Sequence, residues 1–404
     1  MVTSVGRRFR DGIADLRTEG RAPVLAAVAG AWFLSIGIRL TYPALLPHLR
    51  DAFGFGLATA GLLITVLWVA YALGQLPGGM LTDRFGSGRV LLFSTAATGI
   101  AIALVIASPS VGWLFATTVF LALATALAGP ARLPLLSAVF PARGGTAIGL
   151  TQAAGNLGNT LLPLIGGLLA GVVTWHLGLA FVLPIVALVT LLIWRFVPRS
   201  PIDRSATAGE GLPATLQALR ADFTSRSVVV VMAIQVLGSG SYQAFTGFYP
   251  TYLIEVKGIA PTHAAVLFGL FFATGTLVQP LSGAVGDRFG ESRGLVFVLV
   301  PAGLALAVLP GLSGFPMLAI VTVVLGVMLG RSTLALTYLT TSLTAEVRGT
   351  GLGAIRTGYQ LLGAGAPFLV GLLADAGLFD EAFFGLAAIF ALMVGFTTLL
   401  PRKP

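Results

Sequence analysis

Four arginines stand inside otherwise apolar runs of this 404-residue chain: Arg39, Arg132, Arg331 and Arg356. If those runs cross a bilayer, each charge costs at least about 2.5–3.5 kcal/mol and must face a cavity, a partner or the interface. The guanidinium keeps its proton and offers a planar fork of donors, so the chemistry it brings is anion recognition. Arg39 shares one amphipathic stripe with Trp32, Ser35 and Tyr42, and Arg331 lies near the middle of its run. Both positions read as cavity-facing. Arg132 and Arg356 lie closer to a run end, within snorkelling reach of water.

No second reactive set accompanies them. All 15 acids fall in tails, turns, a central linker or the ends of runs, and there are no cysteines. His48, His176 and His263 sit near run ends, where an interfacial role is the ordinary one and a proton relay the weaker alternative. No nucleophile, metal cluster or acid–base pair stands at membrane depth, and no phosphate-binding loop is present. An enzyme and an ATP-driven pump are disfavoured, and neither a cofactor nor a metal site is expected.

The elements that must position these residues follow from composition. The chain is 56% hydrophobic and 10% charged, far below the charge a soluble protein uses to cover itself. Its solvent is lipid, where backbone polar groups must be satisfied internally. Each helical span takes about 20 apolar residues, and twelve such runs can be counted. The runs lack strand-like alternation, so the expected fold is all-α with twelve transmembrane helices. The expected organisation is a tail at 1–22, a six-helix bundle at 23–197, a polar linker at 198–226, a second bundle at 227–400 and a tail at 401–404. The N-terminal tail shows no removable signal peptide. Pro213 to Phe223 reads as a short amphipathic helix on the membrane surface. The first span is expected from Pro23 to Leu46, ending in Tyr42-Pro43, and the second from Ala58 to Leu81.

The two halves repeat one another. Gly79, Asp83, Arg84, Gly86 and Arg89 recur as Gly283, Asp287, Arg288, Gly290 and Arg293, each 204 residues later. Each copy joins two apolar runs, so it reads as a charged turn in a helical hairpin. Gln75 and Gln279 share the offset, as do Pro163 and Pro367. Six spans per repeat is an even number, so both bundles face the same way and enclose a cavity between them. Nearly all loop and tail arginines lie on the side of the repeated turns, while the other side carries Arg50 and Lys257. The positive-inside rule then predicts cytoplasmic termini and a multi-pass protein of the cell membrane. The formal charge of +9 follows from this topology, and no nucleic-acid partner is implied.

The duplicated turn resembles the loop signature of the major facilitator superfamily, found after helices 2 and 8. The resemblance implies transport by alternating access, with helices 1, 4, 7 and 10 lining the central cavity and the signature residues serving the conformational change; Arg356 is read as an anchor for the turn. In helix 5, Gly149, Gly158, Pro163, Gly166 and Gly167 resemble the antiporter motif of that superfamily's drug and metabolite exporters, with Leu162 where the motif has a glycine. Tyr42-Pro43 through Pro47 resembles the end of helix 1 in twelve-helix drug:proton antiporters, which implies a coupling proton. Those antiporters carry an arginine early in helix 4; here Thr117 to Gly129 has no charge, which counts against proton coupling by that route. A rival resemblance uses the same helix: Gly145 to Gly149 with Gly155 to Gly158 is similar to the helix 5 signature of nitrate/nitrite porters. Those porters hold the anion with arginines on helices 2 and 8, where this chain has Gln75 and Gln279.

Two functions are therefore carried forward. One is a secondary transporter that exports a small molecule by drug or metabolite antiport. The other is an organic or inorganic anion porter or exchanger that uses the intramembrane arginines. Arg39, Tyr42, Gln75, Gln243, Gln279, Arg331 and Tyr338 are the candidates for contacting substrate, with Trp68 and Phe245 as apolar walls. The expected partners are the lipid bilayer and a small-molecule substrate, an anion on the second reading, and the expected state is a monomer.

Overall fold

A computed structural model describes residues 21–141, 143–199, 226–342 and 350–400. The surface helix expected at Pro213 to Phe223, most of the N-terminal tail, the segment around Arg348 and the last four residues lie outside the described residues. Among the described residues there are twelve helices long and apolar enough to cross a membrane. They are α1 (Ala22–Phe53), α2 (Leu57–Phe85), α3 (Ser87–Ile106), α4 (Val111–Val139), α5 (Gly144–Val172) and α6 (Trp175–Phe196) in the first half. The second half holds α7 (Arg226–Glu255), α8 (Pro261–Phe289), α9 (Glu291–Gly311), α10 (Phe315–Thr340), α11 (Ile355–Asp375) and α12 (Phe379–Thr397).

Packing repeats with the sequence. Helices α1 and α5, α2 and α4, and α3 and α6 are neighbours in the first half; α7 and α11, α8 and α10, and α9 and α12 are neighbours in the second. The halves meet through α5 on α8, α2 on α11 and α1 on α7. The membrane face that carries the two signature turns is called the near end below, and the opposite face the far end.

The signature is a turn between two helices, as expected, but shorter than the gap left by a second span ending at Leu81. Helix α2 runs to Phe85 and α3 starts at Ser87; α8 runs to Phe289 and α9 starts at Glu291. The connection is one glycine, Gly86 at φ +87° and Gly290 at φ +84°, a conformation that a side chain resists. Asp83 and Arg84 therefore belong to the last turn of α2 and Arg89 to the first turn of α3, all exposed, as are Asp287, Arg288 and Arg293. The helices simply outlast the apolar runs, because helical backbone needs no apolar side chains once it leaves lipid.

Helix α1 also outruns its expected end at Leu46. It continues through Pro43 and Pro47 to Phe53, where Gly54 closes it at φ +68°. Proline removes one helical donor, but neighbouring helices tolerate the defect within a membrane bundle. Helix α7 does the same at Pro250.

Small residues let backbones touch, as lipid-embedded packing requires. A Cβ on Gly158 would fall 2.2 Å from the Phe33 carbonyl, and one on Gly37 would fall 2.5 Å from the Gly158 carbonyl, so α1 and α5 are in backbone contact. Leu162, where the resemblance has a glycine, presents its side chain to Gly37. At the far end α2 and α11 meet in the same way: a Cβ on Gly61 would approach the Pro367 carbonyl to 2.5 Å and one on Gly371 the Leu57 carbonyl to 2.4 Å. Gly167 faces Ala265 of α8, and Gly166 faces α6. Gly149, Gly79 and Gly283 make no such close approach.

Candidate functional site

A cavity of about 230 Å³ lies between the halves. Its wall comes from α1, α2, α5, α7, α8, α10 and α11, with Arg39, Gln243, Gln279, Arg331, Arg356 and Trp68 among the residues on it. Exposure falls with depth. Gln152, Ser332 and Arg356, nearer the signature turns, are exposed; Arg39, Ser239 and Gln243 are buried. The cavity thus opens towards the near end.

The far end is sealed. Asp375, the last residue of α11, accepts hydrogen bonds from the backbone N–H groups of Leu57 at 2.6 Å and Ala58 at 2.8 Å, capping α2 from the other half. Arg50 at the end of α1 pairs with Glu255 at the end of α7. Gly171 of α5 lies against Pro261 and Thr262 of α8. All these contacts join the first half to the second.

Arg39 is only 3% exposed. Its guanidinium carbon lies 3.4 Å from the Tyr71 ring centre and 5.8 Å from that of Trp68, so one face is stacked on α2. Nε and Nη1 are buried and have no hydrogen-bond partner among the described residues. A charge so enclosed is costly unless a counter-charge and hydrogen bonds offset it. Arg356 adds to the strain, because it repels both Arg39 and Arg132.

Arg331 belongs to the other half. The α10 helix tightens to a 3-10 turn at Val327–Leu329 just before it, and Met328, Leu329 and Arg331 line the cavity. Nη1 donates to Gln235 Oε1 of α7. The guanidinium lies across Gly238, where an added Cβ would fall 2.3 Å from Cζ. Glycine at 238 is what lets it lie there.

Two amide pairs join the halves beside the cavity. Gln75 Nε2 donates to Gln360 Oε1 at 2.9 Å, tying α2 to α11. Asn156 Nδ2 donates to Gln279 Oε1 at 3.4 Å, tying α5 to α8. Gln75 and Gln279 are 204 residues apart, and so are Asn156 and Gln360. The same contact has been built twice.

Several residues expected at the site lie elsewhere. Tyr42 is fully buried and its hydroxyl bonds Thr118 of α4 at 2.9 Å. Tyr249 bonds Thr322 of α10 in the equivalent way, so this is a tie internal to each half. Phe245 is buried among Tyr249, Phe271 and Phe383 in the second half. Tyr338 is buried outside the cavity wall, and Gln75 reaches the wall only through Gln360. Helix α4 contributes nothing to the wall; its Arg132 stacks 4.0 Å from the Trp32 ring centre, donates to Thr151 Oγ1 at 3.0 Å and does not snorkel. Asn156, Asn159, Tyr242, Tyr359 and Gln360 are wall residues that pattern reading passed over. Their signal was present: Gln152, Asn156 and Asn159 form an i, i+4, i+7 polar stripe on a glycine-rich helix.

A cavity between two repeated six-helix units, sealed at one end and open at the other, is the architecture of a membrane transporter. The chain belongs to the Major Facilitator Superfamily, whose family model matches residues 27–275 and 231–404. Among curated relatives, methyl viologen resistance protein SmvA of Salmonella typhimurium is 30% identical over 201 residues, 49% of this chain and 37% of that protein. The aligned region thus spans little more than a third of SmvA. The probable sulfoacetate transporter SauU of Cupriavidus necator is 22% identical over 390 residues, 91% of this chain and 90% of that one. Among solved structures, an inward-facing, unoccupied bacterial homologue of the human lysosomal transporter Spinster superposes with a TM-score of 0.77 at 17% identity, covering 94% of this chain and 96% of that one. This likeness concerns the fold.

Proposed function

We propose that this chain is a secondary transporter that exports a small organic anion across the cell membrane by alternating access. Arg39 carries the anion reading: a buried guanidinium on the cavity wall, with two nitrogens unpartnered among the described residues. Arg331 and Arg356 add positive charge to the same wall, whose described residues include no Asp, Glu or His. The similarity to SauU along nearly the whole chain favours the same substrate class. Export is the direction favoured by the α5 glycine pattern and by the partial similarity to SmvA.

Orientation follows the basic residues of the near end, which favour the cytoplasmic side for it. The substrate then enters from the cytoplasmic side and meets Arg39 at the bottom of the cavity. Its charge offsets the guanidinium and weakens the repulsion between Arg39 and Arg356, which lets the near ends of the halves approach. The far-end contacts, Asp375 on α2 and Arg50 on Glu255, separate in exchange. Proton-coupled antiport of a drug or metabolite is the second reading, and the α5 pattern is what favours it.

Purified protein in proteoliposomes tests the choice. Carboxylates, sulfonates and the dication methyl viologen are offered with and without an imposed pH gradient. Movement of anions without the gradient, lost in Arg39→Gln at unchanged protein level, is expected. Movement of the dication alone, driven by the gradient, overturns the proposal.

A further inference from the structure

Arg39 and Arg331 are each tied to their own half, and by different means. Arg39 is stacked on Tyr71 of α2. Arg331 is held by Gln235 and lies across Gly238, both on α7. Neither guanidinium is free to swing to a shared point without giving up its support. The cavity therefore has two separate positive poles, one on each half. The same wall carries the rings of Trp68, Tyr242, Phe272 and Tyr359 among its amide and hydroxyl side chains.

From this juxtaposition we infer that the substrate is a dianion: a short organic molecule with an anionic group at each end, one taken by Arg39 and the other by Arg331, its carbon body lying against the rings. This deepens the anion reading above and rests on it. A single monoanion satisfies one pole and leaves the other uncompensated. A dianion neutralises both and links the two halves through its own carbon frame, so binding and closure favour the same state. A small inorganic ion leaves the rings uncovered.

Proteoliposome uptake at pH 7 is compared for straight-chain dicarboxylates from malonate to adipate and for monocarboxylates of matching length. The expected result is a preference of about tenfold or more for one dicarboxylate length, the effect of one extra charge-assisted contact. Arg331→Gln should bring that ratio to about one, while Arg331→Lys, which keeps the charge, should retain part of it. Gly238→Ala, which displaces the guanidinium without removing it, should also lower the ratio. Stabilisation of the detergent-solubilised protein by the preferred dicarboxylate, seen in wild type and lost in Arg331→Gln, separates lost recognition from lost folding. Equal rates for monoanions and dianions, with the ratio unmoved in Arg331→Gln, overturn the two-pole assignment and leave the anion reading standing. Failure of every anion to move overturns both.

Discussion

The far-end seal depends on a carboxylate at the end of α11 that caps α2 of the other half. Asp375 bonds the first two backbone N–H groups of α2 at 2.6 and 2.8 Å, with Gly56 as N-cap and no side chain of α2's own in that role. Charge-assisted bonds contribute about 1.5–3 kcal/mol each when enclosed, and the helix dipole adds about 0.3–1 kcal/mol. The Ala58 bond is exposed and the Leu57 bond half-buried, so solvent reduces the pair to about 2 kcal/mol together. The neighbouring Arg50–Glu255 pair has side chains 19% and 33% exposed and contributes less than about 1 kcal/mol. Replacing Asp375 by Ala should therefore shift the balance between the two access states by about 30-fold towards far-end opening. The glycine contacts of Gly61 and Gly371 remain, so the fold should survive. The natural absence of cysteine supplies the assay. Ile64 is fully buried against Gly247 of α7, beneath the seal. A thiol in Ile64→Cys should react with an impermeant maleimide from the far side about 30 times faster when Asp375→Ala is also present. Asp375→Asn, which keeps one acceptor, should fall between. Reaction rates that agree within about twofold would refute the assignment of Asp375 as the principal polar latch, since that ratio corresponds to less than about 0.5 kcal/mol.

Because the two amide pairs are copies, Asn156→Ala and Gln360→Ala should alter the same thiol accessibility in the same direction and to within about threefold of each other, each leaving one amide unpaired at about 1–3 kcal/mol; opposite signs would show that they are not equivalent. Tyr42→Phe removes a tie within the first half and should lower thermal stability by about 1 kcal/mol while transport persists. Loss of transport at normal stability would return Tyr42 to the substrate path.

Periodicity and composition alone determined the all-helical membrane fold, the twelve spans and the duplicated architecture. Lipid allows few backbone solutions, and a run of about 20 apolar residues reveals a span without any knowledge of its neighbours. The glycines of the turn were legible for the same reason, since the positive φ at Gly86 and Gly290 is a local demand. Helix ends were not, because polar residues continue a helix beyond the bilayer as readily as they end it.

What each polar side chain faces was decided by tertiary structure. A membrane helix has no polar exterior to fix its rotation; neighbouring helices do that through small-residue contacts such as Gly37 on Gly158. That rotation sends Tyr42 to Thr118 and Arg39, three positions earlier, onto the cavity wall. It also turns Arg132 onto Trp32 instead of outward. The capping of α2 by Asp375 joins positions 318 residues apart, and no local pattern encodes such a pairing. The arginines and the glutamine repeat were visible as residues, but their division into one pole on each half exists only once α1 has packed on α5 and α10 has settled beside α7.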